Sequence, residues 1–238
     1  MRLVARQAVI ALREFQSKAK SIDSPKDLLT NADLMADEII KNGLLALDAV
    51  YVYISEEHDN EVQKPLAWIV DPLDGTANYL AGSDAWAVSI ARVDNGKVVD
   101  GVVCTGDGKE YTTHDKYHHV SRHLEFKTSR IGTDWTKRES DRDVIELLRG
   151  LRFYTRYPLI AGCISKTLID VAVGRLDGCI HMAPQVYDFA AAAAIVDQAS
   201  GKVTDVNGSP WSIRSESIVA TNGLIHDELL ELIQKTMQ

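Results

Sequence analysis

Apolar residues recur along the chain with two different periods, which predict a mixture of helices and strands. Residues 2–20 carry apolar side chains at helical spacing and predict an amphipathic helix. By contrast, AVYVYIS (49–55) and LAWIV (66–70) are short runs of β-branched, aromatic and other apolar residues. Such runs are typical of buried strands.

An Asn-Gly pair separates two alternating apolar runs. Residues 85–93 and 97–105 flank Asn95-Gly96, and this arrangement predicts a β-hairpin. The same patterns predict further elements in this order: a helix from about 30 to 43–48, a helix at 141–149, a strand at 151–157, a helix at 163–173, a strand near 177–182, a helix at 188–199, a strand at 217–221 and a helix at 224–236. No element is predicted in the polar stretch 109–140.

Hairpins in the first half and strand–helix alternation in the second predict an α/β (α+β) fold of two packed sub-domains. We place them at residues 1–126 and 127–238. A chain of 238 residues is long enough to bury a sizeable core, and its composition, 45% hydrophobic and 25% charged, is ordinary for a soluble globular protein.

The charge balance and the cysteines limit the classes of partner and compartment. A net charge of -8 disfavours nucleic acid and anionic membranes as partners, since both attract basic surfaces. Three widely separated cysteines indicate reduced thiols and not a disulfide framework. The longest uncharged run near the N-terminus, 7–12, is too short for a signal-peptide core. We therefore expect a cytoplasmic protein.

Two acids stand three residues apart where a predicted strand ends, in DPLDGT (71–76). A turn needs at most one such side chain, and two carboxylates in a small space repel each other unless a cation separates them. Hard cations such as Mg²⁺ prefer carboxylate and carbonyl oxygens. We infer that Asp71 and Asp74 share metal, and that backbone N–H groups at Gly75 and Thr76 hold phosphate oxygens.

These acids have other interpretations, of which a solvated strand end and a helix N-cap stay open and two fit the spacing poorly. Glu56-Glu57 at a strand end and Asp188 at a helix start have simpler explanations, as a solvated terminus and as a helix N-cap. An EF-hand loop starting at Asp71 fails on spacing, because Leu73 stands at its third position. A covalent aspartyl-phosphatase would need one residue between the acids, and here there are two.

Four short motifs occur in order along the chain: DLLTNAD (27–33), SEE (55–57), DPLDGTANY (71–79) and YDFAAAAAIV (187–196). The third matches D-P-[IL]-D-G-T-x-[NS]-[FY] in full, and the fourth matches an aromatic residue followed by D-x-A-A. With these motifs the chain resembles the inositol monophosphatase superfamily of metal-dependent, lithium-sensitive phosphatases. The resemblance implies a layered αβαβα sandwich, usually a homodimer, with metals between two sheets.

The resemblance also implies roles for individual residues. The implied ligands of two Mg²⁺ ions are Glu56, Asp71, the carbonyl of Leu73, Asp74 and Asp188. Asp33 would help hold a third, weaker ion and its water, and Glu56 and Thr76 would orient the attacking water. The implied substrate contacts are Asp74, Gly75, Thr76 and Asp188. The implied reaction is direct in-line attack of a metal-activated water on a phosphomonoester.

The substrate stays open at this point. Inositol monophosphate or a related sugar phosphate is the first expectation, with fructose-1,6-bisphosphate as a further candidate. However, His181 lies near where inositol phosphatases place a substrate-contacting Glu. The alternatives are a 3',5'-bisphosphate nucleotidase, an NADP or histidinol-phosphate phosphatase, and a catalytically silent metal-binding relative that acts through partners.

Overall fold

The computed structural model of the protein describes residues 1–18, 25–58, 64–134 and 141–236. The side chains of 25–30 and 141–143 are outside that description, and with them the first four residues of the DLLTNAD motif. Within the described residues, the backbone forms two five-stranded sheets and seven α-helices.

The first sheet has the strand order β1-β2-β3-β4-β5. Its strands are β1 (Val52–Ser55), β2 (Leu66–Asp74), β3 (Ala87–Asp94), β4 (Lys97–Thr105) and β5 (Glu110–Thr112). Helices α1 (Arg2–Lys18) and α2 (Pro25–Leu47) cover its outer face, and the short helix α3 (Thr76–Leu80) follows β2. β1 pairs with β2 in parallel, whereas the other pairs are antiparallel.

The second sheet has the order β7-β6-β8-β10-β9. Its strands are β6 (Arg130–Thr133), β7 (Tyr157–Ile160), β8 (Gly178–Met182), β9 (Lys202–Thr204) and β10 (Ser217–Thr221). The helices of this half are α4 (Asp141–Tyr154), α5 (Ile164–Ala172), α6 (Val186–Gln198) and α7 (His226–Thr236).

The buried core residues show that the helices and sheets are stacked in five layers. On β10, Ile218 and Ala220 face a cluster that contains α5, α6 and one face of the first sheet, whereas Val219 faces the cluster under α4 and α7. The order is therefore α1/α2, first sheet, α5/α6, second sheet, α4/α7. This αβαβα sandwich confirms the predicted fold class. The alanines of α6 allow close packing: a Cβ added at Gly101 would lie 2.9 Å from the carbonyl oxygen of Ala191.

Several predicted elements differ from the observed ones. The predicted strand 151–157 is wrong, since α4 continues through Gly150 to Tyr154. A side chain at Gly150 would lie 2.5 Å from Thr236, so the close approach of α7 explains a glycine inside this helix. The sequence also missed the short strands β5, β6 and β9. The boundary near residue 126 stays a prediction.

The hairpin and cysteine predictions are confirmed. Asn95 and Gly96 have φ values of 50° and 78°, as a tight hairpin between β3 and β4 requires. The three cysteines are free and buried. No helix in the described ranges is both long and apolar enough to cross a membrane.

Candidate active site

The parallel pairing of β1 and β2 places two of the predicted acids beside each other. Ser55, the last residue of β1, lies opposite Val70 in the register, so the next residues, Glu56 and Asp71, lie beside each other. Glu56 is exposed in the turn that follows β1, whereas Asp71 is only 1% exposed. The predicted proximity of these two acids therefore comes from strand register.

A bulge near the end of β2 separates Asp71 from Asp74. Asp71 pairs with Ser89 and Asp74 with Ala87, and the register shifts between them, where Pro72 and Leu73 lie. Oδ1 of Asp71 accepts a 3.0 Å hydrogen bond from the backbone N–H of Leu73. β2 thus continues past the predicted end at residue 70, because β3 still pairs with Asp74.

Asp74 reaches across to the second half of the chain. Its Oδ1 accepts a 3.2 Å hydrogen bond from the N–H of Ile164, and its Oδ2 a 2.5 Å bond from the N–H of Ser165. These are the first residues of α5. The hydroxyl of Ser165 in turn donates to the carbonyl oxygen of Asp188 at 2.9 Å. The end of β2 and the starts of α5 and α6 therefore meet at one place.

Asp188 occupies the third position of α6, and Gln185 is the N-cap. The N–H of Gln185 donates a 2.7 Å hydrogen bond to Oδ2 of Asp188 in a capping box. The N-cap interpretation of Asp188 was therefore wrong in position, although its side chain does cap the helix. The helix start holds Asp188 next to the start of α5, which Asp74 contacts from the end of β2.

Gly75 connects β2 to α3 in a conformation that few other residues adopt. Its φ is 88°, and an added Cβ would lie 2.9 Å from both the carbonyl oxygen of Ala85 and Cβ of Cys163. Asn78 then bridges the two halves, since its Nδ2 donates to the carbonyl oxygens of Ala85 and Ala161 at 2.7 and 2.8 Å. Thr76, which follows Gly75 in the chain, is half-buried.

The electrostatics of the site indicate an excess of negative charge. Burial, followed by the charges of Asp74, Glu56 and Asp188, raises the pKa of Asp71 well above its usual range. Burial also raises the pKa of Asp74, although hydrogen bonds from Ser165 oppose the change. Burial and the nearby Glu57 and Glu56 raise the pKa of Asp33 to about 7. A cation bound among these acids would relieve the repulsion.

The donor set fits a hard cation in chemistry and in charge, because it consists of carboxylates around a buried acid. As the side chains are packed, no three His, Cys, Asp or Glu residues of the described ranges converge closely enough to bind a metal ion. Asp71, Asp74 and Asp188 instead accept backbone hydrogen bonds. Leu73 is buried in the bulge between the first two.

The structure adds a buried ion pair that the sequence analysis missed. Oδ2 of Asp134 lies 3.1 Å from Nδ1 of His181, and both side chains are nearly inaccessible to solvent. Oδ1 of Asp134 accepts a 2.7 Å hydrogen bond from the N–H of Gly162, two residues before α5. Asp134 lies in the polar stretch to which no element was assigned, and no motif there indicates it.

Comparisons with known proteins agree with this architecture. The model of the inositol monophosphatase family matches residues 2–238. The inositol-1-monophosphatase ImpA of Mycolicibacterium smegmatis is 29% identical over 88% of this chain and 81% of its own. The Nus factor SuhB of Xylella fastidiosa is 28% identical over 78% of this chain and 72% of its own. The crystal structure of extragenic suppressor protein suhB from Bartonella henselae superposes with a TM-score of 0.88 at 28% identity, covering 98% of this chain and 96% of that one.

Proposed function

Because the chain belongs to the inositol monophosphatase family, a family of phosphoric monoester hydrolases, we propose that it is a Mg²⁺-dependent phosphomonoesterase acting on a small phosphorylated metabolite in the cytoplasm. One observation carries the proposal. Glu56, Asp74 and Asp188, from three separate parts of the chain, all raise the pKa of the buried Asp71. Such crowding of acids is costly without a cation, and it is typical of sites that bind one.

Two or three Mg²⁺ ions would be held by Glu56, Asp71, the Leu73 carbonyl, Asp74 and Asp188, with Asp33 helping to hold the weakest. When bound, the metal would neutralise these acids and polarise the phosphoryl group. The acids come from the turn after β1 and from β2, α2 and α6, so the packing of the layers determines the spacing of the site.

Residues of the same site, some of them metal ligands, would bind the substrate and orient the water. Glu56 and Thr76 would hold the attacking water in line with the phosphorus, and the N–H groups of Gly75 and Thr76 would contact phosphate oxygens. Asp74 and Asp188 border the same space. No residue needs to carry the phosphoryl group covalently, so phosphate should take its new oxygen directly from water.

The proposed substrate is inositol monophosphate or a related sugar phosphate, with fructose-1,6-bisphosphate as a further candidate. The test is phosphate release with and without Mg²⁺ from inositol-1-phosphate, fructose-1,6-bisphosphate, adenosine 3',5'-bisphosphate, NADP and histidinol phosphate. We expect metal-dependent release from a sugar phosphate and none from the Asp71→Asn variant. Preferential release from one of the last three would assign the nucleotidase, NADP phosphatase or histidinol-phosphate phosphatase alternative. Release that persists in EDTA would contradict metal dependence.

The SuhB relative favours a second candidate function. Its name assigns it to the Nus factors, so a member of this family can be named for a role other than hydrolysis. By analogy, this chain would be a metal-binding protein that acts through protein partners. Mg²⁺ binding without hydrolysis of any compound in the panel would support that function over the enzymatic one.

The exposed edge of the second sheet supports a homodimer. Among the strands of the described residues, β7 is at the edge and pairs only with β6, and its side chains are all exposed. The exposed apolar side chains here are Tyr157, Leu159 and Ile160 of β7, together with Phe153 and Tyr154 at the end of α4. An edge of this kind is unfavourable in a monomer. We expect Leu159→Lys to shift the sedimentation coefficient from dimer to monomer, and a wild-type monomer would contradict the proposal.

A further inference from the structure

The two glutamates after β1 lie in a four-residue turn that is closed by a backbone hydrogen bond. Ser55, Glu56, Glu57 and His58 form its four positions, and the N–H of His58 donates a 3.1 Å hydrogen bond to the carbonyl oxygen of Ser55. This is the bond that closes a β-turn. Glu56 is therefore held at the second position of a turn whose last residue is His58.

The ring of His58 is held from α2 by two charged residues. Nζ of Lys41 lies 3.1 Å from its Nε2, and a lysine ammonium only donates, so Nε2 is the acceptor. The hydrogen of a neutral imidazole is then on Nδ1. Nδ1 lies 3.3 Å from Oδ2 of Asp37 and 3.3 Å from Oγ of Ser55. His58 therefore joins the turn to helix α2.

Asp37 is itself anchored from the sheet. It is 2% exposed, and its Oδ1 accepts a 2.7 Å hydrogen bond from the hydroxyl of Tyr53 on β1. A buried carboxylate needs such partners, since an unpaired one is costly. Tyr53 and Asp37 thus form a rigid support between α2 and β1, and His58 is bound to it.

The support formed by Tyr53 and Asp37 holds the turn in place although acids of the turn and of α2 repel each other. Asp33 lies one helical turn before Asp37 on the same face of α2, and the negative charges of Glu57 and Glu56 are close to it. The acids of the turn and the acid of α2 therefore repel each other when metal is absent. The contacts of His58 with Asp37 and Lys41 oppose any movement of the turn away from the helix, and Asp37 is the buried one of the two partners.

We propose that Asp37 and His58 form a latch that positions Glu56 for metal and water, so that they are positioning residues of the site. The inference rests on the proposed function, which makes Glu56 a metal ligand. It predicts that breaking the latch impairs the geometry of Glu56 more than it impairs folding. Substrate affinity depends on other residues and should change little.

The test compares Asp37→Asn and His58→Ala with a matched control. Glu38→Gln removes one carboxylate from the exposed face of α2 at the next position, and it should behave as the wild type. His58→Asn retains a donor near the position of Nδ1 and should rescue the loss in His58→Ala. The measurements are Mn²⁺ affinity by electron paramagnetic resonance without substrate, kcat and KM at saturating Mg²⁺, and the thermal midpoint.

We expect Asp37→Asn and His58→Ala to weaken Mn²⁺ binding and to lower kcat, each by roughly 10-fold, as expected for loss of one coupled contact. KM and the thermal midpoint should stay close to those of the wild type. Wild-type Mn²⁺ affinity and kcat in both variants would overturn the latch. If Asp37→Asn fails to fold, His58→Ala decides alone, since that side chain is 38% exposed.

The two proposals fail in different ways. If the wild type hydrolyses nothing in the panel, the proposed function falls, and the Mn²⁺ affinities still test the latch. If the wild type hydrolyses a substrate and both latch variants match it, only the latch falls.

Discussion

The backbone N–H of Ser165 donates a 2.5 Å hydrogen bond to Oδ2 of Asp74, and the N–H of Ile164 donates to Oδ1 of the same carboxylate. The contact joins the end of β2 to the start of α5. The negative side chain also lies at the positive end of that helix. One carboxylate therefore contributes both to the candidate metal site and to the packing of the two halves of the chain.

The two roles of Asp74 can be separated by substitution. Asp74→Asn keeps an oxygen that accepts a hydrogen bond but removes the charge, so we expect activity to fall by at least ~10²-fold. Asp74→Ala should lose similar activity and also lower the free energy of unfolding by about 2–4 kcal/mol, because two amides lose a charged acceptor. Phosphate release and guanidinium unfolding measure the two effects. Near-normal turnover in Asp74→Asn would contradict the site assignment.

The crowding of acids around Asp71 should make the metal-free wild type less stable than a variant that lacks the charge of Asp71. Burial and the neighbouring acids raise the pKa of Asp71, so its ionised form is disfavoured in the folded state. Stability is therefore lost as pH rises from the ordinary aspartate range through that raised pKa. In EDTA at pH 7, Asp71→Asn should raise the thermal midpoint by ~2–4 °C, about 1 kcal/mol for a chain of this size. Calorimetry measures this shift.

Mg²⁺ provides the control for that experiment. It should stabilise the wild type by relieving the repulsion, and it should have a smaller effect on Asp71→Asn, which lacks one ligand. A variant that is destabilised with and without Mg²⁺ would mean that the carboxylate of Asp71 stabilises the fold by itself.

Glu56 is predicted to orient water as well as to bind metal. Glu56→Gln should therefore remain at least ~10-fold slower than the wild type even at saturating Mg²⁺, since general-base and orienting groups contribute 10²–10⁴-fold in enzymes. The measurement is kcat as a function of Mg²⁺ concentration. Full recovery at high Mg²⁺ would restrict the role of Glu56 to metal binding.

The pair of Asp134 and His181 should make stability depend on pH. Burial would lower the pKa of His181, but the close Asp134 carboxylate, together with Cys179, raises it to about 10. Burial would raise the pKa of Asp134, whereas the close imidazolium of His181 lowers it. The histidine's contribution is therefore complete below its ordinary value of 6.5 and is lost as pH rises through about 10.

Substitution at this pair gives the corresponding test. His181→Gln should lower the free energy of unfolding at pH 6 by roughly 3 kcal/mol, because it leaves a buried carboxylate unpaired, and it should flatten the loss of stability at alkaline pH. The control is His119→Gln at an exposed position. Denaturant unfolding at pH 6 and pH 9 measures both quantities. Equal pH slopes in the wild type and His181→Gln would contradict the pairing.

Local patterns in the sequence determined most of the elements and the identity of the acids. β1, the β3–β4 hairpin and α6 follow from short-range periodicity and turn chemistry, because the nearest neighbours along the chain decide them. The same holds for the DPLDGT turn, whose proline, glycine and paired acids can be recognised without knowing the fold.

The tertiary structure decided what long-range contacts control. β6 pairs with β7 and β8, which lie many residues away along the chain. Its own four residues are too short a pattern to predict a strand. α4 continues through Gly150 because α7 packs closely there. Glu56, Asp71 and Asp188 are near one another only because β1 pairs with β2 in parallel and α6 starts beside α5. The pair of Asp134 and His181 likewise depends on the packing of distant segments, and spacing along a chain contains no information about such packing.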